Sequence, residues 1–579
     1  MSRFDTVIRN GLVVDGTGAA PFYADVGIKA GKIAQLGRLN TATAVEVIDA
    51  EGRIVAPGHV TQHSHYDAML FWNPYCSNSG ENGCTTVVNA NCGFGFAPVR
   101  PADHERTMAM MESTEQIPVS HQRTALPWDW ESFPEFLERM RGLRKGVNVL
   151  TYLPVNPLMI YVMGIEAAKS RRPTSTEMAE MHRLINEAMD AGAMGISLSA
   201  MGVEGNSHVD FDGTPMPTDA MDAEVAVDLA RALAERGEGV IQLLAQIAHF
   251  GDRTVTERIA EACKGSGARV VHNIFLTTDD VDKDLAWLSA LRSRGLDVTA
   301  QTIAYRGWVE HGVRQLENAS GQLPAIRRIV ACRSDDEVMA LVSQPEFQRQ
   351  FEQDYARSGP TSGASGFESQ IILEVGSSPE LQKYIGRSLA EIATETGQSV
   401  IGVLTELIVK SKMALELKSA PIASTDPRHV IKLMSHSGVT IGVSDGGAHT
   451  KSHALGHYGT DYLIWLVREE KLMSLEELHY QLSLKAAQAL TIRDRGAVLP
   501  GFWADLVVYD LSSLYVDQRR MEIVHDMPNG DWRRRVRAGG YDRIMVNGVT
   551  THIKDQPTGA TPGQFVQVTT PGHTSQASN

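Results

Sequence analysis

Two histidines, His63 and His65, stand one residue apart in Ala56-Pro57-Gly58-His59-Val60-Thr61-Gln62-His63-Ser64-His65-Tyr66-Asp67. The lead-in Gly52-Arg53-Ile54-Val55-Ala56 is apolar and turn-bounded, so it predicts a strand, which puts residues i and i+2 on one face. Both imidazoles can then reach one metal ion from the end of one strand. Further donors arrive later, each closing an apolar, strand-like run. Cys92 ends Thr85-Thr86-Val87-Val88-Asn89-Ala90-Asn91-Cys92, His272 ends Ala268-Arg269-Val270-Val271-His272, and Asp445 ends Val439-Thr440-Ile441-Gly442-Val443-Ser444-Asp445. Imidazoles, a thiolate and a carboxylate are the donor set of a zinc-type divalent ion. Such an ion activates water for hydrolysis, and the pattern predicts a metal-dependent hydrolase.

Taken singly, each donor has an ordinary structural role. Cys92 would be a small buried hydrophobe, His272 a hydrogen-bonded wall residue, and Asp445, before Gly446 and Gly447, a turn-former. Their joint placement at strand ends carries the metal assignment.

The elements that must position them alternate strand and helix. Strands are expected at 147–153, 195–199, 240–246, 268–272 and 297–301, and helices at 177–191, 224–236, 256–264 and 283–294. This rhythm signals a parallel sheet in an α/β fold, a (β/α)8 TIM-like barrel whose reactive groups sit at the C-terminal ends of its strands. Residues 1–55 and 486–555 read as short strands with turns and predict a small β-sandwich domain built from both chain ends, flanking a barrel over 56–485. Residues of about 305–400 interrupt the alternation as an insertion near the barrel mouth, with a helix expected over 335–356 and a Gly/Ser-rich loop at 358–366. Residues 556–579, rich in Pro, Gly, Thr and Ser, are expected to be a wrapping or mobile C-terminal tail.

The bulk properties narrow the function classes. The chain has 579 residues and a net charge of −15, which argues against nucleic acid or an anionic membrane as partner and leaves a small-molecule substrate. The basic run Arg533-Arg534-Arg535-Val536-Arg537 is then expected to be a solvated or interface face. No stretch is apolar enough for a transmembrane helix, and the N-terminus has no signal-peptide core. The five cysteines are odd in number and sparse, so a disulfide framework is not expected and a cytoplasmic location is. A homo-oligomer is the default for a barrel of this size.

The order of these residues resembles the amidohydrolase superfamily and, within it, the N-acyl-D-amino-acid deacylases (D-aminoacylases). The resemblance runs nearly the full length. It rests on Val14-Asp15-Gly16-Thr17-Gly18, His63-x-His65-Tyr66-Asp67, Asn91-Cys92-Gly93-Phe94, Ser444-Asp445-Gly446, and the block from Asp494-Arg495-Gly496 to Val507-Val508-Tyr509-Asp510. It implies metal ligands His63, His65, Cys92, His272 and Asp445. It also implies hydrolysis of the C–N bond of an N-acyl (D-)amino acid or related small amide by metal-activated water, with Asp445 as general base and acid.

The chain departs from that family in places. The strand before His272 carries Gln242, Leu244 and Gln246 where the deacylases have a ligand histidine, which favours one tightly bound ion, zinc by donor chemistry, over two; His249 could substitute from the loop, although a loop histidine is ordinarily solvent-facing. Thr61 stands where an acidic residue is usual. A deacylase needs a cation for the substrate's α-carboxylate, and Arg306 in Tyr305-Arg306-Gly307-Trp308 is the candidate, with His449 and Asn156 as further pocket residues; His453 and His457 follow in the same loop. The competing readings are the same fold acting on a cyclic amide, carbamate or ester, and, from another class, a catalytically degenerate binding or assembly protein.

Overall fold

The computed structural model describes residues 4–203, 208–247, 250–276, 280–316, 323–358, 366–421 and 426–568. Its centre is a set of parallel strands whose pairings return to their start. His59–Thr61 pairs with Cys84–Asn89, which pairs with Asn148–Thr151. The chain carries on directly into Leu153–Pro154, and parallel pairing continues through Gly195–Ser199, Val240–Leu244, Arg269–Leu276, Val298–Ile303 and Val439–Ile441. The last of these runs on into Val443–Gly446, which pairs with His63–Ser64, the extension of the first strand. These strands are buried on both faces, which is why they read as near-continuous apolar runs rather than alternating ones.

Helices separate the strands and are closed by local signals. Ser175–Ala191 begins at a reciprocal capping box between Thr174 and Glu177 and ends at Gly192, whose φ of 110° is left-handed. Ala223–Arg236 starts on the Asp222 side-chain cap and ends at Gly237. Inside the strand cycle, Val60, Val88, Leu150, Val240 and Val271 form an apolar cluster with Ala486, Leu490 and Ile492.

Both chain ends meet in one sheet. Its order is Gln556–Pro557, Val549–Ile553, Tyr541–Val546, Leu506–Tyr509, Ile54–Pro57, Phe4–Val13, Phe22–Lys29 and Lys32–Gly37, with Ala44–Asp49 also paired to Phe4–Val13. Ile54–Pro57, held by Leu506–Tyr509, leads straight into His59 and so fixes where the histidine pair begins. Beneath it lies a buried polar knot. The Asp505 carboxylate accepts from Arg495, from Asn148 Nδ2 at 3.2 Å and from the Asn547 backbone N–H at 2.8 Å, with Arg495 and Asp505 both buried.

Between Val298–Ile303 and Val439–Ile441 the chain builds a three-stranded antiparallel sheet, Glu310–Gly312, Leu415–Lys418 and Ile371–Val375. It packs with helices around its own core, which includes Ile326, Phe347, Phe351 and Leu404. This segment extends beyond residue 400, because the strand Leu415–Lys418 completes its sheet. The helix expected over 335–356 is two helices, Asp335–Val342 and Pro345–Ser358, since Pro345 cannot continue the first one.

One further expectation is corrected here. Arg533 and Arg534 do not form a solvated face: they are 0% and 1% exposed. Arg533 pairs with Asp526 at 2.7 Å, and Arg534 reaches Glu310 and Glu416, tying the hairpin Glu522–Val524/Arg533–Arg535 to the inserted sheet. Of the two forms expected of the C-terminal tail, the described part through residue 568 takes the wrapping one. Gln564 O accepts from Val149 N at 2.9 Å and Val566 N donates to Val149 O at 2.8 Å, which occupies the edge of Asn148–Thr151. The Gly/Ser-rich stretch 359–365 and His249 lie outside the described residues. No described helix is long and apolar enough to cross a membrane, and all five cysteines are free.

Removing one partner of the buried Arg495–Asp505 pair leaves an uncompensated charge. Asp505→Ala is therefore expected to lower the unfolding free energy by about 3–5 kcal/mol, read from urea denaturation; a loss under about 1 kcal/mol would show the pair to be dispensable.

Candidate metal centre

Three donors converge at the open end of the first two strands. One ligand atom each from His63, His65 and Cys92 lies within 4.8 Å of the other two, and all three residues are buried. Cys92 Sγ is 3.4 Å from His63 Nε2. Asp445 Oδ1 comes in from the last strand, 3.4 Å from His63 Nε2 and 3.9 Å from His65 Nε2. Donors bound tetrahedrally to one zinc-type ion stand about 3.4–3.6 Å apart, so this spacing suits a single cation.

Each donor is held by the backbone around it. Ser444 Oγ donates to His63 O at 3.2 Å, and His65 N donates to Gly446 O at 2.7 Å, which stitches the first strand to the last. Asp445 adopts φ 45°, a left-handed conformation that Asp tolerates better than most residues. Gly447 follows at φ 94°, where a Cβ would come within 2.4 Å of His65 O, so the two chains meet only because that side chain is missing. Cys92, at φ 57°, occupies the turn after Cys84–Asn89, and its N–H donates to Gln242 Oε1 at 2.7 Å. Asn91 Nδ2 donates to Ser64 O at 3.1 Å and Val88 O at 2.9 Å, locking that turn onto the histidine strand.

The protonation states suit a cation. Burial lowers the His63 and His65 pKa values, so both imidazoles stay neutral and keep a lone pair to donate. His63 Nδ1 donates to Gln301 Oε1 at 3.4 Å, which leaves Nε2 to face Cys92 and Asp445. Burial, then Glu115, Asp445 and Asp219, push the Cys92 thiol well above its ordinary value; a cation at the cluster would reverse that balance. The donor set fits a divalent ion of the zinc type.

Glu115, at the end of the helix His104–Glu115, completes the surroundings. Its Oε2 lies 3.6 Å from His65 Nδ1 and 3.9 Å from His449 Nε2, and its backbone carbonyl accepts from His449 N at 2.8 Å. Burial raises its pKa well above the ordinary range, with Asp445 and Asp67 adding to the shift. His208 faces the same group: burial, then His449 and His63, pull its pKa to about 3. Burial raises Asp67 to about 7 and Asp219 to about 6.

The structure thus brings His63, His65, Cys92 and Asp445 together and sets His449 beside them. Asn156 lies under the Cys92 turn, where its Oδ1 accepts from Thr218 N at 3.0 Å. His272 is not brought in. Its Nδ1 is 2.9 Å from Thr256 Oγ1, and its ring packs 5.0 Å from Trp287, both on the helices outside the strand cycle. The reason is alternation: Val271 points into the central cluster, so its neighbour points outward. Arg306 is also diverted, bound to Asp461 at 2.8 Å and Glu469 at 3.1 Å with its guanidinium over Trp465. His453 bonds Ser452, and His457 packs against Tyr305 and Trp308. Thr61 is a strand residue whose hydroxyl meets Tyr458 OH at 3.0 Å.

Glu115, His208 and Gln301 were missed by sequence reasoning. Glu115 sits among charged helix residues that look solvent-facing, and no spacing ties His208 or Gln301 to the histidine pair. Gln242 is not a ligand, as its residue type implies, yet it orients the Cys92 backbone.

A model of the amidohydrolase family matches residues 46–262. The N-acyl-D-glutamate deacylase of Alcaligenes xylosoxydans xylosoxydans is 25% identical over 577 residues, spanning 98% of this chain and 97% of that protein. The crystal structure of D-aminoacylase superposes with a TM-score of 0.64 at 22% identity, covering 97% of this chain and 100% of the other. These matches support an amidohydrolase-superfamily, D-aminoacylase-like protein. The N-acyl-D-glutamate deacylase of Bordetella bronchiseptica, solved with zinc and a phosphonate inhibitor, shares the fold of this chain at a TM-score of 0.65 and 22% identity, over 97% of this chain and 99% of that one.

Two substitutions separate the centre from its surroundings. Gln301→Leu is expected to weaken zinc binding by about 10–100-fold with an unchanged circular dichroism spectrum. His272→Ala should leave zinc content intact and cost about 2–4 kcal/mol of stability; loss of zinc in that variant, by elemental analysis, would restore His272 to the ligand set.

Proposed function

We propose that this protein hydrolyses the C–N bond of an N-acyl amino acid or a related small amide, using a single zinc ion held by His63, His65, Cys92 and Asp445. The observation that carries the reading is the approach of Asp445 Oδ1 to 3.4 Å from His63 Nε2, 3.9 Å from His65 Nε2. A carboxylate placed there from the opposite end of the strand order is positioned to handle a proton as well as to bind. When bound, the ion supplies Lewis acidity for the scissile carbonyl and lowers the pKa of water.

The remaining work falls to the chain. His63 and His65, neutral through burial, and the Cys92 thiolate hold the ion. Gln301 keeps His63 in the tautomer whose Nε2 faces it, and Glu115 lies where it can do the same for His65 Nδ1. Asp445, 28% exposed at its side chain among buried neighbours, takes a proton from the attacking water and returns it to the leaving nitrogen. One ion rather than two is supported by His272 facing outward and by Gln242 on the strand before it.

The same reading takes the strand cycle as a (β/α)8 barrel, the sheet of both chain ends as one layer of a small β-sandwich domain, and the segment from about 305 as an insertion at the barrel mouth. The pairing order and the separate apolar cores support it. Five free thiols support a reducing, cytoplasmic setting, and a homo-oligomer is the general expectation for an enzyme of this size.

Chelator treatment is expected to abolish amide hydrolysis and zinc to restore it. Asp445→Asn should lower kcat by at least about 10²–10⁴-fold while thermal unfolding stays cooperative; turnover at the parent rate in that variant would refute the role given to Asp445.

A further inference from the structure

A cavity of about 410 Å³ opens past the ends of Gly195–Ser199 and Val240–Leu244. The same two strands carry the side chains that hold the Cys92 turn. Gly93 N donates to Ser197 Oγ at 3.1 Å, and Cys92 N donates to Gln242 Oε1 at 2.7 Å. Two residues further on, about 6–7 Å, these strands give way to the cavity. Met201, Met221, Ala226 and Val255 line it with hydrocarbon, and Asp219 and Asp252 with carboxylates. Asp252 N donates back to Ala245 O at 3.0 Å, which folds its loop onto the strand end. On the other side Thr218 N donates to Asn156 Oδ1 at 3.0 Å, and Asn156 Nδ2 would stand 3.2 Å from a Cβ on Gly93. The cavity is thus built onto the turn that presents Cys92.

The two carboxylates differ in what they hold. Asp252 is spent on its own loop, accepting from Thr254 N at 2.8 Å and Thr254 Oγ1 at 2.6 Å. Asp219 is only half engaged. Its Oδ1 accepts from Ser199 Oγ and, at 2.9 Å, from Met201 N, while its Oδ2 has no partner among the described residues although the residue is 2% exposed. Burial raises this acid to about 6, so it is ionised at neutral pH. A buried carboxylate oxygen without a donor is costly, and a cation that reaches it removes that cost through a charge-assisted hydrogen bond. Hydrocarbon walls around such an oxygen suit an aliphatic stem that ends in a positive charge. Resting on the hydrolase reading above, we infer that this cavity is a substrate subsite, and that the N-acyl amino acid cleaved here carries an ammonium or guanidinium at the end of an aliphatic stem, on its side chain or its acyl group, which binds Asp219.

The test uses the zinc-loaded full chain and two pairs of compounds that differ by a methyl in place of the ammonium. One pair is N-acetyl-lysine and its methyl isostere, in both stereoisomers; the other is alanine acylated with aminohexanoyl or heptanoyl. N-acetyl-alanine and a hydantoin are the reference substrates. The cationic member is expected to exceed its isostere in kcat/KM by at least about tenfold in one pair, and the pair that shows it assigns the charge to the side chain or to the acyl group. Asp219→Asn keeps the acceptor for Ser199 and Met201 and turns the free oxygen into a donor. With zinc content unchanged, it should raise KM for the cationic compound and bring the ratio to within about twofold. Met221→Trp, which fills the cavity from its apolar wall, should also raise that KM; an unchanged KM overturns the placement. Equal or faster cleavage of the isostere in both pairs, turnover of the reference substrates alone, or a preference that survives in Asp219→Asn overturns this inference and leaves the hydrolase reading standing. No turnover of any of these compounds by protein with bound zinc overturns both.

Discussion

The centre depends on one seam, where the first strand of the cycle meets the last. Val443 pairs with His63, Ser444 Oγ donates to His63 O, and His65 N donates to Gly446 O. Without that seam, Asp445 would have no fixed relation to two histidines about 380 positions earlier. The seam in turn depends on Gly447, because a side chain there would collide with the His65 carbonyl. Backbone geometry, rather than side-chain attraction, brings the donors into one group.

Burial then sets the chemistry of the group it has assembled. It keeps His63 and His65 neutral, holds the Cys92 thiol protonated until a cation compensates, and raises the carboxyls of Glu115, Asp67 and Asp219. A cluster of acids and thiol that repel one another when ionised is stabilised by a divalent charge at its centre. Side-chain amides provide the orientation: Gln301 for His63 and Gln242 for the Cys92 turn.

The two-ended sheet and the inserted segment act at a distance from this group. Leu506–Tyr509 clamps Ile54–Pro57, so the C-terminal part of the chain sets the entry of the histidine strand. Arg533 and Arg534, buried and paired, fasten the late hairpin to the inserted sheet and to Asn78 behind the site. Much of what looked like a basic surface run is internal bracing, because Arg533 and Arg535 pair with Asp526 and Glu522 of their own hairpin and Arg534 with Glu310 and Glu416 of the inserted sheet.

The amino-acid sequence by itself determined the local facts. A two-residue period puts His63 and His65 on one face, glycines mark the turns after Cys92 and Asp445, and strand–helix alternation predicts a parallel α/β fold. Strand register and the packing of helices on the outside were decided only in three dimensions. Those long-range contacts turned His272 outward to Thr256 and Trp287, spent Arg306 on Asp461, and carried Glu115 and His208 to the histidine pair. Such outcomes escape a one-dimensional reading because a residue's face is fixed by the strand beside it and its partner by the chain folded against it, neither of which is near it in sequence.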